Sequence, residues 1–173
     1  MNKRQFLTAF AVPALSGMTH PRPVTANTQG SNSIKAAGVT FAWHHANNRL
    51  VATLSAPTAG WIAVGFNTSP GLRDTRFVIA DVASRPVRVE EHLALVPDHP
   101  EITSLGLTPA LADVRGAFRD GRSQLSFTMP HFIPGPPPLE LAPGRISHLM
   151  LAWSRDRDFD HHSAWRRHFE ITL

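Results

Sequence analysis

Apolar and polar residues alternate along much of this chain with a period of two, the pattern of half-buried β-strands. "VTFAWHHANNRLVATLSA" (39–56) predicts two such strands around Asn47-Asn48, a favourable hairpin turn. "GWIAVGF" (60–66) is almost continuously apolar and predicts a strand covered on both faces. "TRFVIADV" (75–82) and "RPVRVEEHLAL" (85–95) follow as two more strands. "DVRGAFRDGRSQLSFTMP" (113–130) is a second hairpin with Asp120-Gly121 at its turn. "RISHLMLAWS" (145–154) and "WRRHFEITL" (165–173) predict the closing pair. "VPDHPEITSLGLTPA" (96–110) holds three prolines and predicts an irregular excursion, and "FIPGPPPLELAPG" (132–144) a proline-rich surface loop. No helical period persists. About eight to ten short strands with regular turn signals predict an all-β, antiparallel, immunoglobulin-like sandwich. The turn-rich loop that ends "GWIAVGFNTSPGL" is expected to rim a pocket between its two sheets.

A length of 173 residues suits one domain with a sizeable core. The absence of cysteine excludes a disulfide framework, a thiolate zinc site and a thiol nucleophile. The amino terminus changes the reading of charge. Lys3 and Arg4 precede a short apolar run from Phe6 to Met18, and Val24-Thr25-Ala26 offers a cleavage site. Residues 1–26 therefore predict an export signal, of Sec or twin-arginine type, too short and weak to anchor in a bilayer. A periplasmic or secreted protein is expected, with a polar linker at 27–37 and the sandwich at 38–173. Removing the signal takes three of the 17 basic residues and leaves 14 against 13 acidic, a net charge of +1. Basic stripes with interleaved aromatics are absent, so nucleic acid is not an expected partner. No integral membrane segment is expected in the mature chain.

The order of these pieces resembles the DOMON domain, the sandwich named after the amino-terminal region of dopamine β-monooxygenase. The resemblance is carried by "FAW" (41–43), "GWIAVGFNTSPGL" (60–72), "TRFVIADV" (75–82), "LMLAWS" (149–154) and "HHSAWRRHFEITL" (161–173). It implies an extracytoplasmic module that binds haem b or, in some branches, a sugar, and that exchanges electrons with a redox partner. It further implies a Met ligand in the loop after the Gly-Trp strand and a His ligand near the carboxy terminus. His161 and His162 meet the second requirement. At the first stands Leu72, which has no lone pair for iron. Trp61 and Phe66 of the Gly-Trp element complete the residues expected at the cofactor.

Alternatives stay open at this stage. Adjacent residues of an extended chain point to opposite faces, so one of His161 and His162 faces a given pocket; Ser163 favours His162. His44 or His45 could supply a second imidazole, and Met129, beside His131, a thioether. Met150 reads as core packing, and so do Trp43, Trp61 and Trp153, whereas Trp165 could stack on a sugar ring. A haem-free module for a sugar or another small molecule, or a copper or zinc site built on His161, His162 or His168 with His44 or His45, are the competing functions. Asp156, Asp158 and Asp160 open like a calcium loop, but His161 and Arg167 stand where its glycine and glutamate belong. No nucleophile elbow, phosphate loop or dinucleotide fingerprint occurs, and no catalysis by this chain is expected.

Overall fold

The computed structural model describes residues 32–173; the export signal read in residues 1–26 lies outside them. The strands are β1 (Asn32–Ala36), β2 (Val39–Ala46), β3 (Arg49–Ala56), β4 (Ile62–Asn67), β5 (Arg76–Asp81), β6 (Arg88–Leu93), β7 (Ala112–Arg119), β8 (Arg122–Pro130), β9 (Phe132–Ile133), β10 (Leu139–Glu140), β11 (Ile146–Trp153) and β12 (Trp165–Thr172). Two five-stranded antiparallel sheets form, in the orders β1-β2-β3-β8-β7 and β12-β11-β4-β5-β6, beside a small β9-β10 ribbon. The protein is an antiparallel β-sandwich, as the strand pattern predicts. One 3-10 turn, Ile102–Leu105, lies in the proline-bearing excursion. Among the described residues no helix is long and apolar enough to cross a membrane.

The turns explain the pairing. Asn47 and Asn48 adopt φ of 50° and 58°, and Asp120 and Gly121 51° and 73°. Two successive positive φ angles twist a tight turn in the sense that matches flanking strands. β1 occupies part of the stretch read as linker (27–37). It is an edge strand exposed on one side, so Ile34 alone needs to pack on the core.

Alternate residues of each sheet meet in the middle. Phe41, Trp43 and Leu54 of one sheet pack with Ile62, Val64, Phe66, Leu149 and Leu151 of the other. The rings of Phe41 and Phe66 meet edge to face at 6.1 Å, bridging the sheets. Each large side chain so buried contributes about 1.5–3 kcal/mol.

A second apolar cluster lies on the other face of the β12-β11-β4-β5-β6 sheet. It contains Trp61, Ala63, Phe77, Ile79, Met150, Ala152 and Phe159. This explains the continuously apolar "GWIAVGF": its even positions face the sandwich core and its odd positions face a surface that loops cover. Trp61 therefore packs outside the sandwich, not between the sheets.

Candidate functional site

The outer cluster floors a cavity of about 320 Å3. The pocket expected between the sheets lies instead on the outer face of one of them. Ala63 sits in register with Ala152 on one side and Ile79 on the other, and small side chains at this level leave the space open. One level along, Gly65 stands between Met150 and Phe77. A Cβ on Gly65 would come within 2.5 Å of the Phe77 ring, so glycine there lets that ring lie against the sheet.

One end of the cavity is closed by the 154–164 loop, which leaves β11 where Trp153 pairs with Ile62, the start of β4. Backbone bonds clamp this loop to β4: Trp61 N–H donates to Asp156 O at 2.8 Å, and Ser154 N–H to Trp61 O at 2.9 Å. The Trp61 indole donates to the carbonyl of His161 at 3.2 Å, and the Ser154 hydroxyl to that of His162 at 3.1 Å. Asp158 and Asp160 amides donate to Asp156 and Asp158 carboxylates, a ladder of local turns rather than a calcium loop. Phe159 is the loop's buried anchor, with the Arg88 guanidinium 4.1 Å above its ring centre.

Both His161 and His162 line the cavity from this loop, and both are open to solvent at its rim. Nδ1 of His161 lies 3.8 Å from the Asp156 carboxylate. The Asp158 amide, chiefly, holds the Asp156 pKa below the usual carboxylate value, with a smaller contribution from His161. Asp156 therefore stays anionic beside that imidazole.

The opposite end is built by two loops joined to each other. Residues 68–75 connect β4 to β5, and residues 94–100 follow β6. Asp74 N–H donates to Ala94 O at 2.8 Å and Ala94 N–H to Thr75 O at 2.9 Å. Leu72 and His99 line the cavity from this end. Behind His99 stands His92, its Nδ1 3.3 Å from His99 Nδ1 and its Nε2 3.0 Å from Glu90. Burial works against the Glu90 carboxylate, but hydrogen bonds from Arg88 and His92 outweigh it and lower its pKa. Arg166, exposed on β12, also lines the cavity.

Four of the five residues expected at the cofactor thus meet in one place: His161, His162, Leu72 and Trp61. Phe66 does not. It is fully buried between the sheets, because it stands five positions after Trp61 and an odd spacing along a strand reverses the face. Met150, read as core, lines the cavity, and its outward parity opposite Leu149 and Leu151 marks it. His99 and Phe77 were missed. Flanking Pro97 and Pro100 mark His99 as a fixed loop position, the sole signal in its neighbourhood.

The other candidates lie elsewhere. Met129 is sealed in the core, and Trp165 packs against that core from β12. His168 borders a shallow depression with His148 and Gly71. His45 pairs with His131, Nδ1 to Nε2 at 3.1 Å, and neither His44 nor His45, both on β2 of the other sheet, lines the cavity. Among the described residues no group of three or more His, Asp or Glu side chains converges as a metal cage.

The His45 site carries a pH dependence. Burial, chiefly, and then His131 and His44 lower the His45 pKa from 6.5. Its Nε2 is buried without a hydrogen-bond partner among the described residues. Below pH 6.5 the unfolded chain takes up a proton that the fold resists, so this stability is full above that pH and lost as pH falls through the folded pKa. Urea midpoints at about pH 7.5 and about pH 5 should therefore fall further in the wild type than in His45→Leu. Equal falls would refute the assignment.

No family model matches the chain, and no curated protein matches it. Among solved structures it is similar to the cytochrome b domain of pyranose dehydrogenase from Coprinopsis cinerea, at 8% identity over 78% of this chain and 76% of that one, with a TM-score of 0.58. It is also similar to the cytochrome domain of Myriococcum thermophilum cellobiose dehydrogenase, at 8% identity over 83% and 81% of the two chains, with a TM-score of 0.56. At such identity the likeness is one of fold.

Proposed function

We propose that this domain is an exported DOMON-type module that holds haem b in the outer-face cavity. An imidazole of the His161-His162 pair serves as one iron ligand. The observation that carries the reading is the arrangement of the cavity itself. Tandem imidazoles stand at the rim of an apolar floor, on a sandwich shared with two proteins described as cytochrome domains.

The donor set suits the group. Neutral imidazole is a good ligand for haem iron, and Trp61, Phe77, Ile79 and Phe159 provide the apolar contact that a porphyrin face requires. The cavity of about 320 Å3 is open at its rim, where His161, His162 and Arg166 are exposed, so it would hold the macrocycle only in part. Bound haem supplies one-electron transfer between ferric and ferrous iron. The chain's own part is to hold and orient. Trp61 and Ser154 fix the carbonyls of His161 and His162, which sets where the tandem rings start from. The Asp156 carboxylate lies 3.8 Å from Nδ1 of His161, where its charge would favour a proton on that nitrogen and leave Nε2 free to hold the metal. Arg166 offers a cation to the propionates. The module exchanges electrons with a separate redox protein or senses redox state, and performs no catalysis alone.

Hemin titrated into the purified mature chain should give a Soret band that saturates at one equivalent. The double variant His161→Ala/His162→Ala should weaken binding about tenfold or more. A titration indistinguishable from free hemin would reject the function.

A further inference from the structure

We propose that His99 is the second axial ligand, so that the iron sits between two imidazoles. The proposal rests on the haem reading above and concerns the end of the cavity where Leu72 stands without a donor.

Four side chains lining the cavity carry the imidazole or thioether donors usual for haem iron: His161, His162, Met150 and His99. The first two share a loop at the end of the sheet where β4 begins. A ligand from the other end of the cavity, where the 68–75 and 94–100 loops meet, would reach the opposite iron face. Leu72 occupies that end and contributes only contact. His99 enters from the neighbouring loop, tied to the first by the paired backbone bonds of Ala94 with Asp74 and Thr75. Met150 belongs to the floor, in register with Gly65 midway along β4, and packs among Trp61, Phe77 and Ala152.

The surroundings of His99 fit the role. Metal-bound imidazoles are characteristically held at their second nitrogen by a polar group. The Nδ1 edge of His99 is turned to His92, at 3.3 Å. His92 is itself buried and anchored through Nε2 to Glu90 and through Nδ1 to the carbonyl of His99. The ring of Phe77 stands edge-on to His99, with centres 6.5 Å apart. Two rings and a hydrogen-bonded chain thus limit its rotation. Nε2 makes no hydrogen bond to any described residue, and it offers a lone pair to the cavity when the proton of the Nδ1–Nδ1 contact with His92 sits on His99. Pro97 and Pro100 stiffen the backbone on either side, which lowers the entropy lost on ligation.

Hemin complexes of the wild type, His99→Ala, His99→Met and Met150→Leu test the assignment by absorption, ferric EPR and reduction potential. The wild type is expected to be low-spin with the signature of two imidazoles. His99→Ala should keep its Soret band but turn high-spin, and free imidazole should restore low spin. His99→Met should stay low-spin at a higher potential, because a thioether in place of imidazole favours ferrous iron. Met150→Leu should leave the spin state unchanged. A low-spin signal that survives in His99→Ala, or a potential unmoved in His99→Met, overturns the proposal and leaves haem binding intact. Loss of low spin in Met150→Leu, or a high-spin wild type, overturns it likewise. A wild type without any Soret band rejects haem binding itself and the proposal with it.

Discussion

Replacing Gly60 with alanine is expected to destabilise the protein by about 3 kcal/mol and to weaken hemin binding about tenfold or more. The reason is contact, not conformational freedom. A Cβ at this position would lie 2.3 Å from Ser154 O, 2.5 Å from Asp156 O and 2.6 Å from Arg155 C. All three are backbone atoms, which no rotamer change can move aside. Thr58 tightens the same junction, its hydroxyl accepting from Gly60 N–H at 2.9 Å and donating to Ser154 O at 2.6 Å. Relief must come from lifting the 154–164 loop off β4, which breaks the Trp61 bonds to Asp156 and His161. The effect should therefore appear twice, in the urea midpoint and in hemin affinity, while the far strands keep their circular dichroism. A Gly60→Ala protein within 0.5 kcal/mol of wild type, on the order of a neutral surface change, would remove this junction from the account of the site.

The second large effect concerns Glu91, fully buried and paired with a nearly buried Arg76 at 2.6 Å. Its carboxylate also accepts from the backbone N–H groups of Ala110 and Leu111, while Arg76 donates to Thr108 O. One ion pair thereby fastens the end of the irregular 96–110 excursion to the β5-β6 edge. Glu91→Ala leaves a guanidinium buried without its counter-charge and two amides without an acceptor. A loss of about 3–5 kcal/mol follows, a fall in Tm on the order of 10 °C. Removing both charges, as Arg76→Met/Glu91→Leu, should cost less than Glu91→Ala alone, because no orphaned charge remains. Thermal and urea unfolding of the three variants decide it. A single variant as stable as the double one would mean that solvent reaches Arg76 after all.

Several features of the site were legible along the chain because they are local. The parity of Phe41, Trp43, Leu149 and Leu151 marks the core-facing sides of their strands. The tandem His161-His162, the Gly-Trp pair and Leu72 stand within short motifs, and the fold brings them to one cavity. Phe66 was misplaced although its odd distance from Trp61 forbids a shared face. The linker reading of residues 32–36 missed β1, since a solvated edge strand needs no apolar alternation. Neighbouring Glu90 and Glu91 have unlike fates, the first at the His92 and Arg88 surface and the second sealed against Arg76. Alternation alone says that they part, not which one is buried.

Strand, turn and sandwich could be read in advance from the chain, since each depends on side-chain period and turn chemistry over a few residues. The face of the sheet that holds the cavity could not. A strand apolar on both sides carries no mark distinguishing a partner sheet from a cover of loops, and the covering loops have no period of their own. His99 meets Phe77 and His92, and shares a cavity with His161, only after β11, β4, β5 and β6 pair in that order. Non-local packing therefore decided where the cavity lies and which donors share it.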